Sequence, residues 1–339
     1  MGVNMKKNIS IKEIAELSGV SIATVSRVIN NNGRFSEETK KKVLKVIDET
    51  GYQLDYSAKT FRMKKSFSIG ILVPDITNFF FSNLVEKIEE ILFNQGYTTI
   101  ICNTARDIDK ERTYLNILEG KMIDGLIIIS GADQFSYKSL NPNKHIPYVC
   151  IDREPKDNNN IFISSDHYQG AYEATKKLVS NGSLKPAIVM HKNYSSSAKE
   201  RLRGFIKALE DSQLKYLENE SILHLPSHKV KAENFIVNHL RQSTIDSLFV
   251  INDNLALDII SYLKSTEISI PNDIQIIGFD DIPACKYVTP QLTTVRQDTD
   301  TIANTAVNSL LDLVNGTSNF NNKKRLVPVK LILRDSTLQ

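Results

Sequence analysis

SIKEIAELSGVSIATVSRVIN, residues 10 to 30, holds two helical patterns joined by a turn at a glycine. Ser10 is followed three residues later by Glu13, the reciprocal pair that satisfies orphan amides at a helix start, and Ile11, Ile14, Ala15 and Leu17 recur at helical spacing. The first helix is therefore expected to begin at Ile11. Gly19 can take the left-handed backbone that ends it, Val20 supplies an apolar plug, and Ser21 caps a second helix carrying Ala23, Val25, Val28 and Ile29. Helix, tight turn, helix is the arrangement that lays its second member in the major groove of DNA.

On the face away from Val25 and Val28 lie Ile22, Ala23 and Arg27. The planar fork of Arg27 matches the two acceptors on the major-groove edge of guanine, whereas Ile22 and Ala23 can offer only apolar contact. Ser21, Thr24 and Ser26 are phosphate candidates, and Asn30 is counted with the same surface. The competing reading is an ordinary helical hairpin whose hydroxyls serve only as caps. A third helix is expected from about Glu37 to Thr50, capped by Ser36 and ended by Gly51, with Val43, Leu44, Val46 and Ile47 turned toward the other two. Charge fits this basic head: residues 1 to 66 carry thirteen Lys or Arg against seven Asp or Glu, a net of +6, so the rest of a chain of net +3 carries −3.

GVSIATVSRVIN, then FSEETKKKV and GY, is similar to the headpiece of the lac-repressor (LacI/GalR) family of bacterial transcription factors. IGILVPDITNFFF, DGLIIIS, RLRGFIKAL and IIGFDDIPACKYVTPQLTTVRQD extend the resemblance from about Ile9 to Leu333. The resemblance implies a homodimer, a palindromic operator and a segment at 54 to 66 that becomes a hinge helix only on DNA. Aligned on Gly51 and Tyr52, it puts Ala58 at the close-packing position of that hinge and Phe61 at its minor-groove wedge. Phe61 is larger than the family's usual leucine, and Leu54-Asp55 stands where the family has Pro-Asn. A helix of about nine residues is marginal in water, so such a hinge would fold or melt with its surroundings.

From Phe67 onward short β-branched runs alternate with helical patterns. Strands are expected at 68–73, 97–102, 125–129, 148–151, 187–190, 222–225, 247–251 and 274–278, and helices near 82–94, 109–120, 168–181, 199–212, 231–241 and 254–265. Such alternation gives parallel sheets with right-handed crossovers, and the series is long enough for two lobes with a ligand cleft at the C-terminal strand ends. The expected fold is an all-α three-helix head on an α/β two-lobed body, periplasmic-binding-protein-like by the resemblance. The expected division is head 1–53, hinge 54–66, an N-terminal lobe of 67–163 and 293–327, and a C-terminal lobe of 164–292 and 328–339.

Cleft candidates follow the strands: Asp75, the Phe79–Phe81 run, Asp152 and Arg153. The resemblance lays Phe80 and Phe81 against an effector and matches Arg201 and Asp253 to the family's effector-binding arginine and aspartate. Asp280 and Asp281 are expected to be chiefly structural, with Asp280 near the cleft floor and counted with the effector-binding set. Carboxylates that accept, a guanidinium that donates and an aromatic plane together suit a sugar. GxGxxG, Walker, HExxH and GxSxG motifs are all missing from the sequence, which argues against an enzyme and gives no cofactor or metal. Cys102, Cys150 and Cys285 form no CxxC pair and suit a reducing cytoplasm, and MGVNMKKN carries no apolar run of the kind that exports or anchors a chain. The expected function is repression of a carbohydrate-utilisation operon, relieved by a sugar or sugar phosphate. A catabolite regulator co-repressed by a phosphocarrier protein, or a repressor needing a purine-type co-repressor, are the alternatives.

Overall fold

The computed structural model describes residues 9–29, 32–52, 65–129, 146–155, 161–192, 195–226, 229–317 and 324–338. These fall into two compact units, one ending at Lys65 and one beginning at Ser66.

The first unit is three helices: α1 (Ile11–Ser18), α2 (Ile22–Ile29) and α3 (Glu37–Thr50). The capping box forms as the spacing demands. Ser10 Oγ accepts from the Glu13 amide at 3.3 Å, and the Ser10 amide donates to Glu13 Oε2 at 2.7 Å. Gly19, at φ +68°, ends α1 in the left-handed conformation, and Ser36 and Gly51 bound α3 in the same manner. Ile14, Ala15, Val25, Val28 and Val43 close the core, with Val46, Ile47 and Tyr52 packed around it. Leu17 and Leu44 do not join them, being 61% and 45% exposed. Three short helices enclose one narrow seam, and residues a quarter-turn away from it stay in solvent.

The second unit contains two six-stranded sheets. In chain order it runs β1 (Ser68–Val73), α4 (Phe79–Asn94), β2 (Thr98–Asn103), α5 (Ile108–Gly120), β3 (Gly125–Ile129), β4 (Tyr148–Ile151), β5 (Ile161–Ser165), α6 (His167–Ser180), β6 (Pro186–His191), α7 (Ser196–Asp211), the short α8 (Glu218–Ser221) and β7 (Ile222–Leu225). It continues with α9 (Lys229–Gln242), β8 (Ser247–Val250), α10 (Asp253–Leu263), β9 (Gln275–Asp280), a 3-10 turn at Pro283–Lys286, β10 (Thr293–Gln297), α11 (Thr299–Asn315), β11 (Lys324–Val327) and β12 (Val329–Ile332). The first sheet has the order β11-β5-β4-β3-β1-β2 and is parallel throughout. The second has the order β12-β10-β9-β8-β6-β7, with β12 antiparallel at its edge.

Alternation along each inner strand feeds two cores. Ile69, Ile71 and Val73 of β1 pack with α4 and α11 on one face of the first sheet, while Leu72 joins Leu115 and Leu118 of α5 on the other. The second sheet shares one core with α6, α7, α9 and α10. Gly204 lets α7 lie close against α6, because a Cβ on it would run into the backbone carbonyl of Tyr168. The three cysteines are all buried thiols.

Two sequence expectations change. The boundary at residue 293 cuts off β10, which pairs with β9 and β12 and so belongs to the second sheet; the chain passes to the first lobe only at Asp298, the N-cap of α11. Likewise β5 carries the first lobe to Ser165. Strands β5, β10, β11 and β12 were missing from the expected series because short strands beside polar loops give weak local signals, and helix α11 was missing although its cap and glycine stop are both present. Asn30, Ala58 and Phe61 lie outside the described residues, as does the hinge up to residue 64.

Candidate functional site

Helix α2 presents the surface its periodicity requires. Val25 and Val28 are buried, while Ile22, Ala23 and Arg27 are exposed. Ser21 caps the helix, its Oγ accepting from the Thr24 amide at 3.1 Å and lying 2.9 Å from Thr24 Oγ1. Thr24 and Ser26 are half-buried. The stem of Arg27 crosses Gly33, where an added Cβ would lie 3.4 Å from Arg27 Cδ. Gly33, at φ +93°, thus supplies both an unusual backbone and room for the arginine.

The second candidate is a cavity of about 1280 Å³ at the C-terminal strand ends. Asp75 follows β1 and binds Thr77, whose amide and hydroxyl donate to its Oδ1 at 3.0 and 2.6 Å. That turn leads to Asn78, the N-cap of α4, which brings Phe80 and Phe81 onto the cavity wall edge to face, with centroids 5.4 Å apart. Asp152 follows β4, and Asp280 ends β9 at φ +125°, a region L-residues seldom adopt. Arg201, on α7, lines the cavity with them.

A buried chain of hydrogen bonds ties the two lobes together here. Asp152 Oδ1 accepts from Ser164 Oγ at 2.8 Å and meets His167 Nε2 at 2.9 Å. Arg201 Nε donates to His167 Nδ1 at 3.3 Å. An arginine can only donate, so Nδ1 carries no proton and Nε2–H must donate to Asp152. His167 is therefore neutral, in keeping with burial pushing its pKa below the ordinary imidazole value. Burial opposes the charge of Asp152, but His167, Ser164 and the nearby Arg201 outweigh it and hold that carboxyl below its usual range. Arg201 also donates to the carbonyl of Ile251, lies 3.7 Å above the Phe279 ring, and comes within 3.7 Å of Asp280. Burial, with Asp253 and Asp152 nearby, pushes Asp280 well above the usual carboxylate range despite Arg201.

Two expected site residues stand elsewhere. Asp253 is fully buried and does not line the cavity. Its carboxylate accepts from Thr294 Oγ1 at 2.6 Å, from the Ile282 amide at 3.0 Å and from Cys285 Sγ at 3.1 Å, and so braces the loop after β9. Gly278 is required beneath it, since a Cβ there would collide with Oδ1. Asn252 and Asn254, on either side of it in sequence, line the cavity instead. Arg153 also leaves the cavity lining, its Nη1 bonding both oxygens of Glu111 on α5 at 3.0 and 2.9 Å in a buried pair. The sequence reading missed Asn78, Arg106, His191 and Asn252 on the wall, and His167 behind it. His167 was legible in principle as a histidine directly after a strand, within the crossover between lobes. Among the described residues no cluster of His, Cys, Asp or Glu is disposed to hold a metal, and no helix is long and apolar enough to cross a membrane.

A helix-turn-helix head on a two-lobed body with a lined cleft defines a DNA-binding regulator with a ligand-binding domain. Residues 10–55 match the model of bacterial regulatory proteins of the lacI family, and residues 175–337 that of periplasmic binding protein-like domains. The HTH-type transcriptional repressor PurR of Photobacterium profundum is 33% identical over 333 residues, 96% of this chain and 98% of that one. A LacI family regulator from Enterococcus faecium, solved with bound ribose, is 33% identical with a TM-score of 0.71, covering 80% of this chain and 98% of that one. The lac repressor dimer bound to operator shares the whole fold at TM-score 0.85 and 24% identity, over 98% of this chain and 100% of that one. The chain belongs to the lacI family of bacterial regulatory proteins. It is a transcriptional repressor with a DNA-binding head and a ligand-binding body, and not an enzyme.

Proposed function

We propose that this repressor acts in the cytoplasm as a homodimer on a palindromic operator of a carbohydrate-utilisation operon, and that a sugar or sugar phosphate in the cleft releases it. One observation carries the ligand class: an aromatic wall, Phe80 and Phe81, shares a cavity with the oriented polar groups Asp152, Arg201, Asn252 and Asp280. An aromatic face takes the C–H face of a sugar ring while carboxylates and guanidinium fix its hydroxyls. The ribose bound to the E. faecium relative supports the same class. Asp75 lines the same cavity.

On the head, Arg27 reads guanine, Ile22 and Ala23 make apolar contact with bases, Ser21, Thr24 and Ser26 bind phosphate, and Asn30 belongs to the same DNA-binding set. Ala58 and Phe61 act in the hinge, one packing against its twin and the other wedging a base step. The working division keeps the head at 1–53 and the hinge at 54–66 and moves the lobe boundaries to Ser165 and Asp298.

The test is a melting-temperature screen of the full chain against pentoses, hexoses, their phosphates and purine bases, followed by operator retardation with every binder. A sugar that raises the melting temperature and weakens retardation is expected. A purine that stabilises the protein and tightens retardation would replace this reading with co-repression.

A further inference from the structure

The cavity does not end at the groups that hold the first ring. It continues along the second sheet, past His191 at the end of β6, to edge strand β7 and the two helices beside it. Ile222 and His224 alternate onto one face of β7. Leu255, Asp258 and Tyr262 fall on one face of α10 at spacings of three and four, and Phe235 of α9 closes the third side. The result is a three-walled chamber opening off the cleft.

Its composition is unlike that of a packing defect. A void left in a core is lined by apolar groups, whereas this one adds Asp258, the Tyr262 ring and the imidazole of His224 to Ile222 and Leu255. Phe235 lies parallel to His239, with ring centroids 5.6 Å apart, and that pairing steadies the aromatic wall. Arg106, Lys192 and Arg201 line the cleft together with Asp75, Asp152 and Asp280, while the chamber is lined by Glu218 and Asp258 and by no lysine or arginine among the described residues. A phosphate is repelled there, and a neutral polyol ring is not.

We infer that the chamber is a second sugar subsite, so that the effector is a disaccharide or longer glycoside spanning both ends of the cavity. The volume of about 1280 Å³ exceeds the roughly 300–1,000 Å³ of pockets that bury a drug-sized ligand, so a single sugar ring leaves much of the cavity unfilled. This inference rests on the sugar reading of the cleft and adds the length of the ligand.

The test is calorimetric titration of the full chain with a panel of pentoses and hexoses and with their 1,4- and 1,6-linked di- and trisaccharides. Ala232, a buried chamber residue on α9, is replaced in a second protein, Ala232→Phe, to fill the chamber, and in a third Phe235→Ala removes its aromatic wall. The best oligosaccharide is expected to bind about tenfold or more tightly than its own monosaccharide, and both variants to erase that ratio while the monosaccharide affinity stays within about twofold. Because both ligands are measured on the same variant, a general loss of stability moves both and leaves the ratio intact. A monosaccharide that binds as tightly as every longer form, or a ratio unchanged in Ala232→Phe, overturns the second subsite and leaves the sugar cleft standing. Failure of every sugar to bind, whatever its length, overturns both.

Discussion

The head and the cleft both use arginine, in opposite ways. Arg27 is an exposed fork on a helix, its stem resting on a glycine. Arg201 is buried with its donors already engaged by His167 and Ile251, with a ring beneath it and a carboxylate nearby. A group that waits in water loses little when deleted except the partner it would have met. A group built into a buried network leaves several others uncompensated when it goes. The head is thus a surface whose chemistry is completed by its partner, and the cleft one whose chemistry is assembled before any partner arrives.

The largest effect that separates the two is on stability. Arg201→Ala should cost the body about 3–5 kcal/mol, because Asp152 and Asp280 lose a buried cation, and the response to effector should vanish while operator binding survives. Denaturant midpoints and retardation assays check this; a midpoint like that of the parent protein would mean the network is not pre-assembled. Arg27→Ala should leave those midpoints unchanged and lower discrimination at one operator base by about 1–3 kcal/mol, read by competition between operator variants. Ser36→Ala sharpens the comparison from the structural side. It removes the cap of α3 and should cost the head about 1 kcal/mol without altering effector affinity.

The smallest effect is a pH dependence confined to the body. His167 is held neutral, with a folded pKa below that of the unfolded chain, so below about pH 6.5 the unfolded state binds the extra proton and stability falls as pH falls. Above that pH neither state carries the proton and the contribution is flat. His167→Asn should flatten this acid-side slope in urea midpoints taken between about pH 5 and pH 8. An unchanged slope would assign the titration to another group.

The same contrast explains what could be read in advance. The head was legible almost residue by residue, because caps and glycine stops are local signals: Ser10 with Glu13, Gly19, Ser36 and Gly51 all stand where the spacing put them. In the cleft, the strand ends were legible and the facing of individual side chains was not. Asp253 and Asn252 are neighbours at the start of α10, yet one is sealed against Gly278 and the other lines the cavity. Asn252 is the extended N-cap and Asp253 the first helical residue, so their side chains leave in different directions, and a sequence alone does not say which of two adjacent polar groups turns inward. Arg153 beside Asp152 repeats the lesson, its partner Glu111 lying 42 residues earlier on a different helix. Helix α11 had both a cap, Asp298, and a stop, Gly316, and its periodic Ile302, Ala306 and Leu310 were open to the same reading as α1.

The edge strand β11, at residues 324 to 327, pairs with β5 at residues 162 to 165, and α11 just before it covers one face of that sheet. A ribosome making this protein therefore exposes an unfinished amino-terminal lobe, with the side of β5 open to pairing, until residue 327 has emerged. Nonsense mutations between residues 298 and 324 should behave like deletions from the middle of a domain, yielding chains that aggregate rather than weakened repressors.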